Sequence, residues 1–275
     1  MVLRLSLNLT NSSSIKLLQI TDTHLFAPED GSLLNVITLD SFQAVLGAII
    51  EKKFQFDVIV ATGDISQDHS EESYQHFVDS ISVLKQPCFW LAGNHDYKPS
   101  MAGFFRPKKI FNLEHAFLSE NWQIIILDSQ VFGVSYGHLS KQQMLLLDSI
   151  LREYHHHHTL ILLHHHPILV GSDWLDRHAL KDSIEFWQIL RKYSNVKAIL
   201  CGHVHQNIDR DIQNIRVLSA PSTCIQFKPN SKHFALDRLS PGWREIELYD
   251  DGSISTQVHR LMSTYFLPDL NTNGY

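Results

Sequence analysis

Residues 17–24 read Leu17-Leu18-Gln19-Ile20-Thr21-Asp22-Thr23-His24, a short apolar run that ends in an aspartate and a histidine two positions apart. The pattern recurs four times along the chain. Val58 to Ala61 leads to Gly63-Asp64, and Cys88 to Ala92 leads to Gly93-Asn94-His95-Asp96. Leu160 to Leu163 leads to His164-His165-His166-Pro167, and Ala198 to Cys201 leads to Gly202-His203-Val204-His205. Runs of about five apolar residues bounded by glycine or polar residues predict buried strands, and Ile124 to Leu127 is a further one. Between them, helical spacing appears in Phe42-Leu46-Ile49-Ile50, in Tyr74-Phe77-Val78-Ile81, in Met144-Leu147-Ile150-Leu151 and from Ile184 to Leu190. Strands alternating with helices predict a layered α/β architecture.

Working outward, the pattern changes after about Asn207 to short strands with turns: Arg216 to Ser219, then Trp243 to Tyr249 and Ser253 to His259 around Asp251-Gly252. The expectation is a single domain over residues 1–275, with core motifs in 16–206 and C-terminal strands in 207–262 that complete a second, more antiparallel sheet. No internal repeat or proline-rich linker divides the chain. Four consecutive histidines, His155 to His158, look like a tag but lie between a predicted helix and a strand, where a solvated helix end explains them.

Composition narrows the function. With 23 Lys and Arg against 29 Asp and Glu, the net charge is −6, which argues against a broad grip on nucleic acid or an anionic membrane. The anomaly is 18 histidines, the commonest metal ligand and the side chain that titrates near neutrality. Three scattered cysteines, Cys88, Cys201 and Cys224, form no paired disulfide framework and no C-x-x-C site. Met1 to Thr10 alternates apolar with polar residues and lacks the apolar core of a signal peptide, and no run is long enough to span a membrane. These features predict a protein of a reducing compartment, the cytoplasm; the expectation is a monomer or homodimer that acts on a small molecule.

The polar residues after the runs carry the chemistry. In α/β sheets ligands bind at the carboxyl ends of strands, so these side chains should converge despite their separation in sequence. Asp22 and His24, like His203 and His205, sit at i and i+2, so on an extended strand end both members of a pair face one side. One Asp-x-His or Gly-Asp is an ordinary turn or surface feature; five such strand ends together are not. Carboxylate, amide and imidazole without thiolate exclude cysteine-rich structural zinc and suit Mn²⁺, Fe²⁺ or catalytic Zn²⁺. Asp22, His24, Asp64, Asn94, His164, His203 and His205 are too many ligands for one ion and fit two about 3.5–4 Å apart.

In this order the motifs resemble the calcineurin-like metallophosphoesterase superfamily. Further segments, Gly63-Asp64-Ile65-Ser66-Gln67-Asp68, Trp174-Leu175-Asp176, Pro221-Ser222-Thr223-Cys224 and Pro241-Gly242-Trp243-Arg244, resemble the bacterial class III cyclic-AMP phosphodiesterases over nearly the entire chain. The resemblance implies a four-layer α/β/β/α sandwich and hydrolysis of 3′,5′-cyclic AMP to 5′-AMP by a hydroxide bridging two divalent ions, Fe²⁺ or Mn²⁺. It places Asp22, His24, Asp64 and His205 on one ion and Asp64, Asn94, His164 and His203 on the other. His95 would donate a proton to the leaving oxygen, with Asp96 orienting it, and His24, Asp64, Asn94, His95, His164 and His205 would face the substrate. Two positions depart from the pattern. Gln67 stands where many members have an acidic residue, so Asp68 is assigned no catalytic role. The triple histidine leaves His165 as a second candidate beside His164.

Such a site suits the reaction, because an anionic cyclic diester repels hydroxide and needs charge neutralisation and a nucleophile formed near pH 7. Trp174, Trp243 and Phe227 are candidates to stack on a purine, although aromatic residues are commonly core. Competing readings are weaker. Gly133-Val134-Ser135-Tyr136-Gly137 matches the G-x-S-x-G nucleophile elbow of serine hydrolases, but the predicted strand ends near Leu127, too early for a strand-to-helix turn. A non-catalytic scaffold should have lost ligands, and none is missing. Other cyclic nucleotides or phosphodiesters remain alternative substrates. No P-loop or dinucleotide fingerprint occurs.

Overall fold

The computed structural model describes residues 3–4, 13–105, 110–111, 113–270 and 274. Two sheets face each other. One has six strands in the order Ile254–Arg260, Gly242–Tyr249, Ser14–Ile20, Val58–Ala61, Cys88–Trp90 and Ile110–Phe111. The other has seven, in the order Leu3–Arg4, His115–Phe117, Trp122–Ile126, His158–Leu162, Val196–Cys201, Ile215–Ser219 and Ile208–Ile212.

The strands read as continuous apolar runs because both of their faces are buried. Ile15, Leu17, Val58, Val60 and Phe89 point toward the opposite sheet, where Trp122, Ile124, Leu160, Leu162, Ala198 and Leu200 meet them in one core. The alternate residues Leu18, Ile20, Ile59, Ala61 and Trp90 point outward onto the helices Thr38–Glu51, Glu71–Ser82 and Lys98–Phe105. On the far side, Ile125, Ile161, Ile199 and Val217 pack against Lys141–Glu153 and Ser183–Leu190. Three cores thus separate four layers, α/β/β/α, as the resemblance implied. Serines start two of the helices: Ser70 Oγ accepts the Ser73 N–H and Ser140 Oγ the Gln143 N–H, satisfying first-turn donors.

The C-terminal strands correct one expectation. They do not complete a single second sheet but divide between the two. Ile215–Ser219 pairs in parallel with Val196–Cys201 in the seven-stranded sheet, while Gly242–Tyr249 pairs antiparallel with Ser14–Ile20 in the six-stranded one. Each segment has apolar residues for the shared inner core, Leu218 in one and Ile246 and Leu248 in the other, so hydropathy alone does not say which sheet each joins. The four histidines follow the helix end at Glu153: His155 and His156 are exposed and His158 opens the next strand. Of Met1 to Thr10, Leu3–Arg4 forms a strand against Ala116–Phe117, and the other residues lie outside the described ones.

Candidate metal centre

Ser14–Ile20, Val58–Ala61 and Cys88–Trp90 run parallel to one another in one sheet and His158–Leu162 and Val196–Cys201 in the other, and the five motifs follow the carboxyl ends of these five strands. The side chains converge as expected, but by a different backbone route. Asp22, His24, Asp64, His203 and His205 all adopt positive φ, from 46° to 68°. The i, i+2 pairs therefore meet through left-handed turns rather than through the alternation of an extended strand. For a non-glycine residue this conformation costs roughly 1–2 kcal/mol, and its concentration on five candidate ligands marks strain held at a functional site. Glycine is required beside them. Gly63 has φ +96°, and a Cβ there would lie 2.5 Å from His164 Nδ1.

Potential ligand atoms of Asp22, His24 and His205 lie within 4.8 Å of one another, as do those of His24, Asp64 and His95, and those of Asp22, Asp64 and His164. Asp64 is the hinge of the arrangement. Its Oδ2 is 3.2 Å from His164 Nε2, and its Oδ1 accepts the His95 backbone N–H at 2.8 Å. Asn94 Oδ1 is 3.2 Å from His164 Nε2. Asp22 Oδ1 is 3.4 Å from His205 Nε2, and its carboxylate accepts the His203 N–H. His164, His165 and His203 form another close group.

The far sides of the rings are held. His164 Nδ1 lies 2.8 Å from the Thr62 carbonyl and His205 Nδ1 lies 2.9 Å from the Ile225 carbonyl, contacts that select the tautomer leaving Nε2 as a lone-pair donor. His24 Nδ1 lies 2.7 Å from Gln67 Oε1, so the residue that departs from the pattern orients a candidate ligand. The Phe227 ring stacks on His205 at 4.1 Å and 12°. His165 instead has its Nδ1 2.8 Å from Ser129 Oγ.

Burial sets the electrostatics. It holds His24 neutral, with a pKa pushed down to about 3, and holds His203 well below its usual value. Burial also disfavours the Asp64 carboxylate, but His164 and His95 outweigh it and hold its pKa well below the usual range. For His164 burial opposes the charge, yet Asp64 beside it raises the pKa to about 9. A cation fits this donor set. The ligand atoms of two buried carboxylates and several imidazoles lie close together, and His203 Nε2 is buried with no hydrogen-bond partner among the described residues, the condition a metal ion relieves.

Asp96 differs from expectation. Its carboxylate accepts backbone N–H groups of Ile65, Ser66 and Gly93, so it ties the Asp64 loop to the Asn94 loop instead of orienting the His95 ring. Burial, then Asp64, raises its pKa to about 7. Sequence reasoning missed Thr62 and Ile225 behind the histidines, and named Phe227 for a base rather than for the His205 ring on which it stacks. Backbone carbonyls leave no signature in side chains; Gln67 was visible only as a departure from a pattern. Trp243 lies elsewhere, stacked on His259. The Gly133–Gly137 segment is a loop bridged to Gln130 and Leu180, not a strand-to-helix elbow.

A layered α/β/β/α fold with two carboxylates, an amide and imidazoles at its strand ends defines a metallophosphoesterase. The chain belongs to the calcineurin-like phosphoesterase family, whose pattern matches residues 15–207. It is 55% identical over 265 residues to the 3′,5′-cyclic adenosine monophosphate phosphodiesterase CpdA of Vibrio vulnificus, covering 96% of this chain and 97% of that protein. It is 48% identical over 271 residues to CpdA of Escherichia coli K12, covering 98% of each. Among solved structures, a dimetal phosphatase from Danio rerio aligns with a TM-score of 0.64 at 14% identity, over 90% of this chain and 99% of that one, a likeness of fold.

Proposed function

We propose that this protein is a cyclic-AMP phosphodiesterase, a metal-dependent hydrolase that converts 3′,5′-cyclic AMP to 5′-AMP and so regulates cyclic AMP inside the cell. The observation that carries the reading is Asp64: one buried carboxylate belongs both to the group with His24 and His95 and to the group with Asp22 and His164. Asp22, His24 and His164 also belong to two groups each, and of these four Asp64 is the one whose two carboxylate oxygens make separate contacts, with His164 and with the His95 N–H, which supports it as the residue shared by two ions. Support for the substrate comes from the CpdA relatives, which match over nearly the whole chain at 48% and 55% identity.

In this reading Asp22, His24, Asp64 and His205 hold one ion, and Asp64, Asn94, His164 and His203 hold the other, Fe²⁺ or Mn²⁺ being the best suited. Bound there, two divalent ions supply Lewis acidity toward the phosphoryl oxygens and acidify a water. The protein does the rest by position. Asn94 is a ligand without charge and adds no repulsion toward the anionic diester. His95 lines the cavity together with Asn94 and His203, which supports it as the donor of a proton to a leaving 3′-oxygen. His164, favoured over His165 by its contacts with Asp64 and Asn94, is held at its rear by Thr62. The whole chain acts as one domain, working in the cytoplasm on a small molecule. Among the described residues no helix is long and apolar enough to cross a membrane.

The test is metal-stripped protein incubated with 3′,5′-cyclic AMP, with Mn²⁺ or Fe²⁺ restored, and 5′-AMP read by chromatography. Metal-dependent 5′-AMP that disappears in Asn94→Ala is the expected result. Absence of 5′-AMP from protein carrying about two ions per chain would overturn the substrate assignment.

A further inference from the structure

A cavity of about 700 Å³ opens beside the proposed metal ligands, with Asn94, His95 and His203 at one end. That is more room than a phosphoryl group and a ribose require, and it falls in the size range of small-molecule sites. Its far wall is aromatic. Phe227 leans on the candidate ligand His205, Trp174 meets Phe227 edge-on at 4.9 Å and 81°, and Phe234 meets Trp174 at 5.1 Å and 67°. Trp174 also approaches His178, at 6.1 Å, which in turn lies 6.2 Å from His203. Trp174 is thus two ring contacts from each of two candidate ligands. It is half-buried, and its indole N–H has no hydrogen-bond partner among the described residues.

This wall is built rather than loose. Asp176 accepts the Val170 and Gly171 N–H groups and fixes the turn that carries Trp174. The Lys228 N–H bonds the Ala235 carbonyl and Asp237 N–H the Gln226 carbonyl, fixing the hairpin that carries Phe227 and Phe234. No carboxylate, lysine or arginine lines the cavity among the described residues; its titratable lining is His95, His178, His203 and the Tyr136 phenol. An uncharged, flat, aromatic group is therefore the complementary occupant.

We infer that Trp174 and Phe234 form the nucleobase subsite of this protein, with His178 as the polar group at its edge, and that the subsite prefers purine to pyrimidine nucleotides. Phe227 is less available to a base because its face is engaged by His205. A purine presents more π surface to these rings than a pyrimidine does, and base–aromatic stacking is sequence-tolerant but scales with contact. Recognition by side chains that touch only the base makes them specificity-determining without a part in bond breaking. The inference rests on the nucleotide reading above and is tested by binding as well as turnover.

The experiment uses the metal-loaded protein and its Trp174→Ala and Phe234→Leu variants, with Phe132→Ala as control. Phe132 is 63% exposed and lies outside the cavity lining. Calorimetric affinities for 5′-AMP, 5′-CMP and inorganic phosphate are compared, alongside KM and kcat for 3′,5′-cyclic AMP and for ethylene phosphate, a small cyclic diester with no aromatic group, followed by phosphorus NMR. Expected are tighter binding of 5′-AMP than of 5′-CMP in the parent protein, and a loss of 5′-AMP affinity of roughly ten-fold or more in Trp174→Ala, with phosphate affinity and small-diester turnover unchanged. Equal losses for 5′-AMP and phosphate would show a structural role and overturn the inference. So would unchanged 5′-AMP binding in both cavity variants, or a loss confined to Phe132→Ala. A parent protein that turns over the small diester but not cyclic AMP would refute the substrate reading, while the 5′-AMP and phosphate affinities still decide the subsite.

Discussion

Gln67 shows how one side chain tunes a site it never enters. Its Oε1 lies 2.7 Å from His24 Nδ1, so it sets the tautomer and the direction of the ring. Replacing it with alanine should weaken ion binding by about 10- to 100-fold, whereas Gln67→Glu keeps the acceptor and should retain affinity; Mn²⁺ titration of stripped protein measures both. His164 supplies a second prediction at the same level. Without an ion its pKa is about 9, raised by Asp64 against the effect of burial. A ligand must be unprotonated, so an ion entering near pH 7 displaces this proton, and affinity should rise with pH until about 9. Calorimetry in buffers of differing ionisation enthalpy would detect the release. A pH-independent affinity with no proton released would contradict it.

Among the elements, the loops after the strands are the demanding ones. Gly63 combines a left-handed backbone with contact against His164 and Gly93. Gly63→Ala should therefore destabilise the fold by at least ~2 kcal/mol, from backbone conformation and displaced neighbours together, and reduce the bound metal. Thermal unfolding and elemental analysis would show the two losses in parallel. The strands that carry the motifs were readable from sequence because burial on both faces demands continuous apolar runs, as at Val58–Ala61, found at its observed bounds, whereas edge strands such as Ile208–Ile212 were not read. Four helices were readable from their spacing, although the Thr38–Glu51 and Glu71–Ser82 ends extend beyond the periodic residues, and Lys98–Phe105, which buries only Met101 and Phe105, was not read.

The whole molecule depends on how the two sheets are joined. Arg244, on the Gly242–Tyr249 strand of the six-stranded sheet, is buried and donates to the Ser219 and Ile208 carbonyls of the seven-stranded one, and to Thr256 Oγ1 on its own. Burial lowers its pKa to about 10, still far above neutrality, so the guanidinium stays charged. Arg244→Leu would strand these acceptors and should cost about 3–5 kcal/mol. Denaturant unfolding of the metal-free protein tests this separately from any effect on the site; a midpoint unchanged from the parent would refute it.

Residue order alone was enough to mark the strand ends, their ligand types and hence the family, because that chemistry is written in side chains that follow apolar runs. It also indicated four layers through resemblance, and these are present. Three features depended on contacts between segments far apart in the chain: the division of the C-terminal strands between two sheets, the left-handed turns that bring Asp22 and His24 together, and the carbonyls of Thr62 and Ile225 behind two histidines. Hydropathy reports that a strand is buried but not which neighbour buries it, and a backbone carbonyl is the same at every residue. Where such groups act, only their positions in space distinguish them.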